Sequence, residues 1–499
     1  MARGKAGFAL DLPRPAALLD AAAAGQGESK QEIVYATLRE AILGRLIPAG
    51  GRLPASRALA QRWGLSRGTV ELAYDRLCCE AYVSRTPGSG TRVSAVVPDR
   101  YLVAAAIAVP GPPPPRRPAA APAAEGGAES GVQVGVPFVA RMADPTLFPL
   151  PAWSRHLAGA LRGAGPELLC SADPRGVAAL REQIADYLRK YRGIPCDAGD
   201  IVVLTGIRHA LDLVARTLLR PGEKVCVEDP GYPAALRIFA RAGAVVAPVP
   251  VGPEGFECAQ LRRHPDARLV YVTPAHQSPV GLTMSATRRL ELLDWADRSG
   301  GWIIEDDYDS EFNYLSAPLA ALKSLDKARR VIYCGSFNKT LFAGLRVGFA
   351  VVPPQLREPL LALWQTTGRS VGVTEQLALA SWLADGAFVR HLRSARRAYQ
   401  ERRDAILALL AAEAPGRYGV SGQHAGFHFV LWLPPGSDEA AFCARAAAIG
   451  LNLEGMGGRC REVVLPPAVI VGYTALTMAQ ARYGAQLLAG LLAATPPAG

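Results

Sequence analysis

The chain has 499 residues, of which half are hydrophobic and 20% are charged, and its formal net charge is +11. This length supports two or three domains with cores of their own, and nine cysteines without a CxxC pair or a paired framework favour a reducing compartment over secretion. No apolar run approaches the roughly 18 residues of a membrane-spanning helix, so we expect a soluble, cytoplasmic protein with no membrane contact. The positive charge permits a polyanionic partner without identifying one.

Residues 29–94 have the pattern of a winged helix-turn-helix domain. The segment "EIVYATLREAIL" repeats apolar residues at helical spacing. The segment "PASRALAQRWG" predicts a second helix with Ser56 at its N-cap and Gly64 at its end, and "LSRGTVELAYDRL" predicts a third helix capped by Ser66. The segments "AYVSRT" and "TRV", joined by a "PGSG" turn, predict a hairpin that forms the wing.

This small domain is basic, since residues 29–93 contain ten Lys and Arg against five Asp and Glu. Helix starts present side chains and free backbone N–H groups to phosphates and base edges, and a wing reaches the DNA backbone or the minor groove. A solvated basic face on a protein-interaction module would carry the same charge. The candidate DNA-contacting residues are Arg57, Ser66, Arg67, Thr69, Arg85 and Ser89.

Residues 95–135 are predicted to be a linker. They include "VPGPPPPRRPAAAPAAEGGAESG", which is rich in Pro, Ala and Gly and has no apolar period. Such a segment does not bury enough surface to offset its ordering entropy. The remaining residues, 136–490, are expected to form one larger domain.

The large domain alternates helical patterns with short apolar runs. These runs are "IVVLTG", "KVCVED", "RLVYVTP", "GWIIEDDY", "RVIYCGSF" and "VGFAVVP". Strands rich in Val and Ile, separated by segments long enough for crossover helices, predict a largely parallel sheet with helices on both faces. In such sheets ligands bind beyond the C-terminal ends of the strands.

Unusual residues follow four of these runs. Gly206 opens a helix whose N–H groups suit a phosphate, Tyr232 offers a ring for stacking, and Asp306 and Tyr308 offer a carboxylate and a phenol. Lys339 offers an amine in a chain that has only seven lysines against 48 arginines. Arginine remains protonated and does not act as an imine-forming amine, so a lysine here suggests covalent chemistry.

Together these groups match pyridoxal 5′-phosphate, which has a phosphate, an aromatic ring with a basic nitrogen and a carbonyl that forms a Schiff base. Each residue alone has a commoner explanation, as a turn glycine, a packed tyrosine, a solvated acidic loop or a surface lysine. The acidic run "EDDYD" would also suit Mg²⁺, although we assign no metal site. The joint occurrence in this order favours the cofactor.

Two resemblances extend this interpretation. The segment "LREAILGRLIPAGGRLPASRALAQRWGLSRGTVELAYDRLCCEAYVSRTPGSGTRV" resembles the DNA-binding domain of the GntR family, and "VEDPGYPAALR", "IIEDDYDSEFNY" and "GSFNKTLFAGLRVGF" resemble fold type I aminotransferases. Their combination resembles the MocR-type regulators. The resemblance implies a multidomain α/β protein, with an N-terminal winged helix-turn-helix and a PLP-dependent transferase fold of type I that ends in a small C-terminal α+β subdomain.

The resemblance also implies roles for particular residues. Lys339 would form the internal aldimine, Asp306 would pair with the pyridine nitrogen, and Tyr232 would stack on the ring. Further residues are expected near the ring oxygen (Tyr308 and Ser278) and around the phosphate (Gly206, Ile207, Ser336 and Arg346). Asn338 stands where the family commonly has Ser, and its amide retains a donor for the phosphate. The arginine that would bind an effector carboxylate is not evident, with Arg459 and Arg461 as candidates.

Three functions are compatible with these features. The first is a transcriptional regulator that binds a double-stranded DNA operator as a head-to-tail homodimer and senses an amine, an amino acid or PLP. The second is an active PLP-dependent aminotransferase with an accessory DNA-binding domain. The third is a DNA-binding protein whose large domain has lost the cofactor and serves for dimerisation. The sequence favours the first and does not identify the effector, the operator or the direction of regulation.

Overall fold

The computed structural model describes residues 12, 15, 30–44, 46–86, 90–94, 136–163, 165, 173–314, 320–367 and 371–494. These residues fall into two compact units, one with the described residues up to 94 and the other with those from 136 onward. Ser89 and the expected linker, 95–135, lie outside the described residues. Within the described part of the chain, no helix is long and apolar enough to cross a membrane.

The first unit contains three helices and a two-stranded antiparallel hairpin, as the sequence predicts. Buried apolar residues from all three helices, including Leu38, Trp63 and Val70, form its core. The elements are α1 (Lys30–Leu43), α2 (Ser56–Trp63), α3 (Arg67–Cys79), β1 (Val83–Thr86) and β2 (Gly90–Val93).

The helix caps of this unit differ in part from the prediction. Gly64 ends α2 in the left-handed conformation, and the Ser66 hydroxyl caps α3 by accepting from the Thr69 N–H at 3.1 Å, which confirms both assignments. The assignment of Ser56 as an N-cap is wrong, because Ala55 occupies that position. The Ser56 hydroxyl instead donates to Glu71 of α3 at 2.5 Å, so a contact between helices replaces the local cap.

An eight-stranded sheet forms the centre of the second unit, in the order β3-β10-β9-β8-β7-β4-β5-β6. Neighbouring strands from β9 through β5 are parallel, whereas β10 is antiparallel to both β9 and β3. The connection between β9 and β10 contains no long crossover helix, which explains the reversed strand in the largely parallel sheet. The strands are β3 (Ile201–Leu204), β4 (Lys224–Asp229), β5 (Val245–Gly252), β6 (Gly255–Phe256), β7 (Ala267–Val272), β8 (Trp302–Asp307), β9 (Val331–Ser336) and β10 (Gly348–Val351).

Helices cover both faces of this sheet. Alternate residues of β3 enter different cores, with Ile201 and Val203 in one and Val202 and Leu204 in the other, so each face is packed against helices. The helices up to the C-terminal sheet are α4 (Leu150–Gly163), α5 (Ala178–Arg192), α6 (Ile207–Leu218), α7 (Pro233–Arg241), α8 (Ala286–Ser299), α9 (Phe337–Thr340), α10 (Pro354–Thr367), α11 (Val373–Ala384) and α12 (Ala387–Glu413).

The C-terminal part has an antiparallel sheet of its own, in the order β11-β12-β14-β13. Its last helix packs along α12, which joins this part to the rest of the unit. The elements are β11 (Gly419–Ser421), β12 (His428–Trp432), α13 (Glu439–Ala448), β13 (Glu454–Gly455), β14 (Ala468–Gly472) and α14 (Met478–Ala493). This arrangement matches the expected small α+β subdomain.

Candidate functional site

The ends of β3 and β9 meet at one edge of the large sheet. Gly348, at the start of β10, pairs with Leu204 on one side and with Ser336 on the other. A Cβ atom at position 348 would lie 2.9 Å from the Gly206 Cα, so the absence of a side chain permits this close approach. The start of α6 and the helix α9, which carries Lys339, therefore lie side by side.

Lys339 is half-buried, and its Nζ donates to the main-chain carbonyl of Arg141. Burial, reinforced by the positive charges of Arg141 and Arg208, lowers the pKa of the Lys339 amine to about 8, while Asp309 and Asp306 oppose this shift. An amine with this pKa is neutral, and therefore nucleophilic, in an appreciable fraction of molecules at neutral pH.

Asp306 lies in β8, is buried and points toward the site. Its carboxylate accepts a hydrogen bond from the Tyr271 hydroxyl at 2.6 Å. Burial raises the pKa of Asp306 to about 7, and the nearby charge of Lys339 acts in the opposite direction. Because the carboxylate has no protein cation bonded to it among the described residues, a ligand cation would find an available partner here.

The other carboxylates of "EDDYD" have separate partners. Strand alternation turns Asp307 away from Asp306, and Asp307 forms a buried ion pair with Arg192 and accepts from the Tyr333 hydroxyl at 2.7 Å. Asp309 contacts His276 with an Oδ2–Nδ1 distance of 2.8 Å. The acidic run therefore distributes its charges among different protein groups, which does not favour the Mg²⁺ alternative.

A small polar network surrounds the Tyr308 phenol. Its hydroxyl lies 3.2 Å from His276 Nδ1, and it interacts with the Ser278 side chain. Burial raises the pKa of Tyr308 well above its ordinary value. Although burial disfavours the imidazolium, Asp309 raises the pKa of His276 above the usual range. The sequence predicted Tyr308 and Ser278 at this site but not His276 and Asp309, although these two residues lie close to them in "HQSP" and "EDDYD".

Tyr232 occupies the N-cap position of α7, at the end of the short turn that follows β4. Its hydroxyl accepts from Arg208 Nε at 3.1 Å. Arg208 is the second residue of α6, so this contact joins the starts of two neighbouring helices. The sequence did not identify Arg208, although its position directly after Gly206 and Ile207 at a helix N-terminus was a usable signal.

The candidate phosphate-binding residues lie around the starts of α6 and α9. Gly206, with φ of 132°, is the N-cap of α6 and Ile207 is its first residue. Ser336 is the N-cap of α9 and accepts from the Asn338 N–H at 3.2 Å. Arg346 is exposed and borders a cavity of about 360 Å³, whose lining also includes Thr205, the residue before Gly206, but not Lys339.

The Asn338 side chain makes two hydrogen bonds to main-chain groups. Its Oδ1 accepts from the Val347 N–H at 2.9 Å, and its Nδ2 donates to the Thr205 carbonyl at 3.4 Å. The side chain thus joins the segment after β3 to the segment before β10. These contacts use Oδ1 and one of the two Nδ2 protons, so the amide retains one donor, and its role toward the phosphate stays a prediction.

Arg459 and Arg461 lie in a loop that contacts the turn after β4. The Arg459 carbonyl accepts from the Gly231 N–H at 3.1 Å, and Asp229 accepts from the Arg461 N–H at 2.8 Å. The Arg459 side chain turns inward and pairs with Glu454, whereas Arg461 is exposed. Of the two candidates, only Arg459 therefore extends toward the residues around Tyr232.

In the first unit, the candidate DNA-contacting residues lie at helix starts and in the wing. Arg57 is exposed near the start of α2. Arg85 of the wing contacts Asp75 at 2.6 Å and Glu71 at 3.0 Å, and Arg67 lies 3.6 Å from Glu71. Acidic residues of α3 thus hold two of the candidate arginines in the absence of DNA.

Comparison with known proteins identifies both units. Residues 30–93 match the family described as bacterial regulatory proteins, gntR family, and residues 142–450 match aminotransferase class I and II. The probable rhizopine catabolism regulatory protein MocR of Rhizobium meliloti is 33% identical over 451 residues, which cover 90% of this chain and 91% of that protein. The pyridoxine biosynthesis transcriptional regulator PdxR of Corynebacterium glutamicum is 33% identical over 374 residues, covering 74% and 76%.

A solved structure supports the same fold for the second unit. The kynurenine aminotransferase of Pyrococcus horikoshii matches with a TM-score of 0.67 and 26% identity, covering 73% of this chain and 91% of that chain. The match to the MocR protein covers 90% of this chain and therefore extends over both units, whereas the match to this enzyme covers 73%. The domain combination is thus that of the regulators.

Proposed function

The chain belongs to the MocR-type regulators, in which a DNA-binding domain of the gntR family precedes an aminotransferase class I and II domain, and we propose that it regulates transcription in response to a small molecule bound at Lys339. The observation that carries this proposal is the amine of Lys339, with a pKa of about 8, in the same site as the buried carboxylate of Asp306.

The proposed domains are a winged helix at 29–94, a linker at 95–135 and an effector domain at 136–490. The first binds a double-stranded DNA operator in the cytoplasm through Arg57, Ser66, Arg67, Thr69, Arg85 and Ser89. A head-to-tail homodimer of the effector domain would present two such domains to two half-sites. Regulation requires that the arrangements with high and low DNA affinity also differ in their affinity for the effector.

The residues of the site fit pyridoxal 5′-phosphate as the cofactor. A Cβ atom at position 206 would lie 2.9 Å from Asn338 Nδ2, so the glycine lets the Asn338 amide lie against the start of α6, where free backbone N–H groups suit an anionic group. When bound, the cofactor supplies an electron-poor ring and a carbonyl group that condenses with primary amines. The side chains of Lys339 and Asp306 supply the amine and the carboxylate that such a molecule requires.

The remaining roles are those that the resemblance implies. Tyr232 would stack on the ring, and Tyr308 and Ser278 would contact the ring oxygen. Gly206, Ile207, Ser336 and Arg346 would hold the phosphate. The Arg208 side chain, which bonds the Tyr232 hydroxyl, adds a positive charge near the start of α6 and is included here with the phosphate-binding residues.

The test compares the visible absorption and DNA affinity of the wild type with those of Lys339→Ala, with and without pyridoxal phosphate. The wild type is expected to give an absorption band at roughly 410–430 nm, where the lysine-linked cofactor absorbs, and a DNA affinity that depends on the cofactor or on an added amine. The Lys339→Ala variant is expected to lose both. Lys190→Ala is the matched control, since Lys190 is exposed on α5 and pairs with Asp186.

Two results would contradict the proposal. If the wild type shows no band and binds the upstream intergenic DNA equally with and without cofactor, the effector domain serves dimerisation only. The protein is an aminotransferase with an accessory domain if it turns over an amino acid with an oxo-acid acceptor at a steady rate and if neither of these substrates changes its DNA affinity. Agreement between Lys190→Ala and the wild type excludes a general effect of removing a lysine.

A further inference from the structure

Glu454 lies between two arginines in the second unit. Arg141 Nη2 donates to both carboxylate oxygens at 2.7 Å, and Arg459 Nη2 donates to Oε2. The carboxylate-bearing side chain is 32% exposed, compared with 18% for Arg141 and 16% for Arg459. Glu454 is therefore the member of this trio with the most direct route to solvent.

The trio lies beside Lys339. The main-chain carbonyl of Arg141 accepts from Lys339 Nζ, and the charge of Arg141 contributes to the lowered pKa of this lysine. The carbonyl of Arg459 accepts from the N–H of Gly231, the residue before Tyr232. Both guanidinium groups are thus attached to backbone segments that directly contact the proposed cofactor-binding residues.

The segment that carries Arg141 is held firmly in place. The Thr474 hydroxyl donates to the Met142 carbonyl at 2.5 Å, and the Gly472 N–H donates to the Phe138 carbonyl at 3.2 Å. A Cβ atom at position 472 would lie 2.1 Å from the Val139 carbonyl oxygen, so this close contact with β14 depends on a glycine. The position of the Arg141 backbone is therefore determined by packing that does not involve Glu454.

One carboxylate does not satisfy this pair of arginines. Arg141 Nη1 is buried, and within the described part of the chain it has no hydrogen-bond acceptor. Although burial opposes ionisation, Arg141 and Arg459 lower the pKa of Glu454, so the side chain is a carboxylate at neutral pH. Two positive charges against one negative charge leave a surplus that attracts an acid group.

We propose that Glu454 occupies the position of a ligand carboxylate, and that the effector is a primary amine that also carries a carboxylate and displaces Glu454 from Arg141 and Arg459. This inference rests on the proposed function, since the amine of the same molecule is the group that reacts at the Lys339 site. The internal carboxylate competes with the effector and thereby weakens the binding of acids, whereas Arg141 and Arg459 favour amines that carry an acid group over amines that lack one.

The experiment uses the full-length protein and three probes of matched length: β-alanine, propionate and propylamine. Calorimetry measures propionate binding without added cofactor, and absorption measures both amines with pyridoxal phosphate. Glu454→Gln is expected to bind propionate and β-alanine roughly tenfold more tightly than the wild type, because the competing charge is removed, and to bind propylamine equally. Arg459→Gln is expected to bind both acids at least about tenfold more weakly.

The same loop provides matched controls. Glu462→Gln and Arg461→Gln make the same charge changes at exposed positions, and both should retain wild-type affinities. Glu454→Asp, which shortens the side chain by one methylene group, serves as a second variant and should have affinities for acids between those of the wild type and Glu454→Gln.

The outcomes separate this inference from the proposed function. If no amine changes the absorption of the wild type but Glu454→Gln still tightens propionate binding, the carboxylate site stands and the cofactor-dependent function fails. If the variants at 454 leave both propionate affinity and the ratio of β-alanine to propylamine affinity within twofold of the wild type, Glu454 is a permanent structural partner and the inference is overturned. The absence of measurable propionate binding in both the wild type and Glu454→Gln also overturns it.

Discussion

The lowered pKa of Lys339 predicts how the reactivity of this residue depends on pH. With a pKa of about 8, the amine is roughly 9% neutral at pH 7, whereas at the reference value of 10.5 it would be only about 0.03% neutral. The structure therefore predicts a ~300-fold larger neutral fraction at pH 7 than for an ordinary lysine. Burial is the main cause, and the Arg141 charge adds to it.

A small neutral acylating reagent, with the products quantified by mass spectrometry, measures this neutral fraction in the protein without added cofactor. The acylation rate of Lys339 should rise with pH and level off above about pH 8. The same lysine in urea-unfolded protein is the reference, and it should level off near its unfolded pKa of about 10.4. In Arg141→Gln the midpoint of the curve of acylation rate against pH should lie at a higher pH than in the wild type, because a positive charge that lowers the pKa of Lys339 is removed. A wild-type midpoint above pH 10 would refute the reasoning from burial.

Three further predictions concern single charges. Asp307→Asn leaves the buried guanidinium of Arg192 without its carboxylate. It should lower the free energy of unfolding, measured by urea titration, by about 3–5 kcal/mol. A loss below about 1 kcal/mol would contradict the assigned burial of this ion pair. Asp306→Asn should stabilise the cofactor-free protein above pH 7. Burial raises the pKa of this carboxyl to about 7, so its ionisation weakens the fold as pH rises from about 4 to 7. The variant should nevertheless bind pyridoxal phosphate more weakly. Thermal unfolding with and without cofactor checks both effects. Arg85→Gln should weaken binding to all DNA sequences similarly and lower the salt slope by about 1, whereas a loss confined to one sequence would indicate base recognition.

Local sequence patterns predicted much of the fold and part of the site. The six apolar runs of the large domain all form strands, and Gly206 and Lys339 follow two of them at one edge of the sheet. These features depend on short-range rules of strand composition and helix starts. The N-cap at Ser66 was equally predictable because its partner, the Thr69 N–H, lies only three residues away.

Contacts between distant segments were not predictable in this way. Ser56 has the residue type of an N-cap, but Glu71 of the neighbouring helix binds its hydroxyl, and no local pattern indicates that contact. Arg141 and Glu454 are separated by 313 residues and meet because the segment before α4 lies against β14. Neither residue is part of a motif, so their pairing becomes evident only from the folded chain.

The arrangement of charges around Lys339 connects ligand chemistry with the C-terminal sheet. Arg208 belongs to the large sheet and its helices, whereas Glu454 and Arg459 belong to β13 and the loop after it. The pKa of Lys339 responds to Arg141, whose side chain is bound to Glu454 of that C-terminal sheet. A ligand carboxylate that replaces Glu454 leaves the charge at the two arginines unchanged and releases the Glu454 side chain of β13 from Arg141, whose carbonyl accepts from Lys339 Nζ. Because effects on an equilibrium require differential contacts in its two states, this exchange of one carboxylate for another is the contact difference by which acid binding would act as a signal.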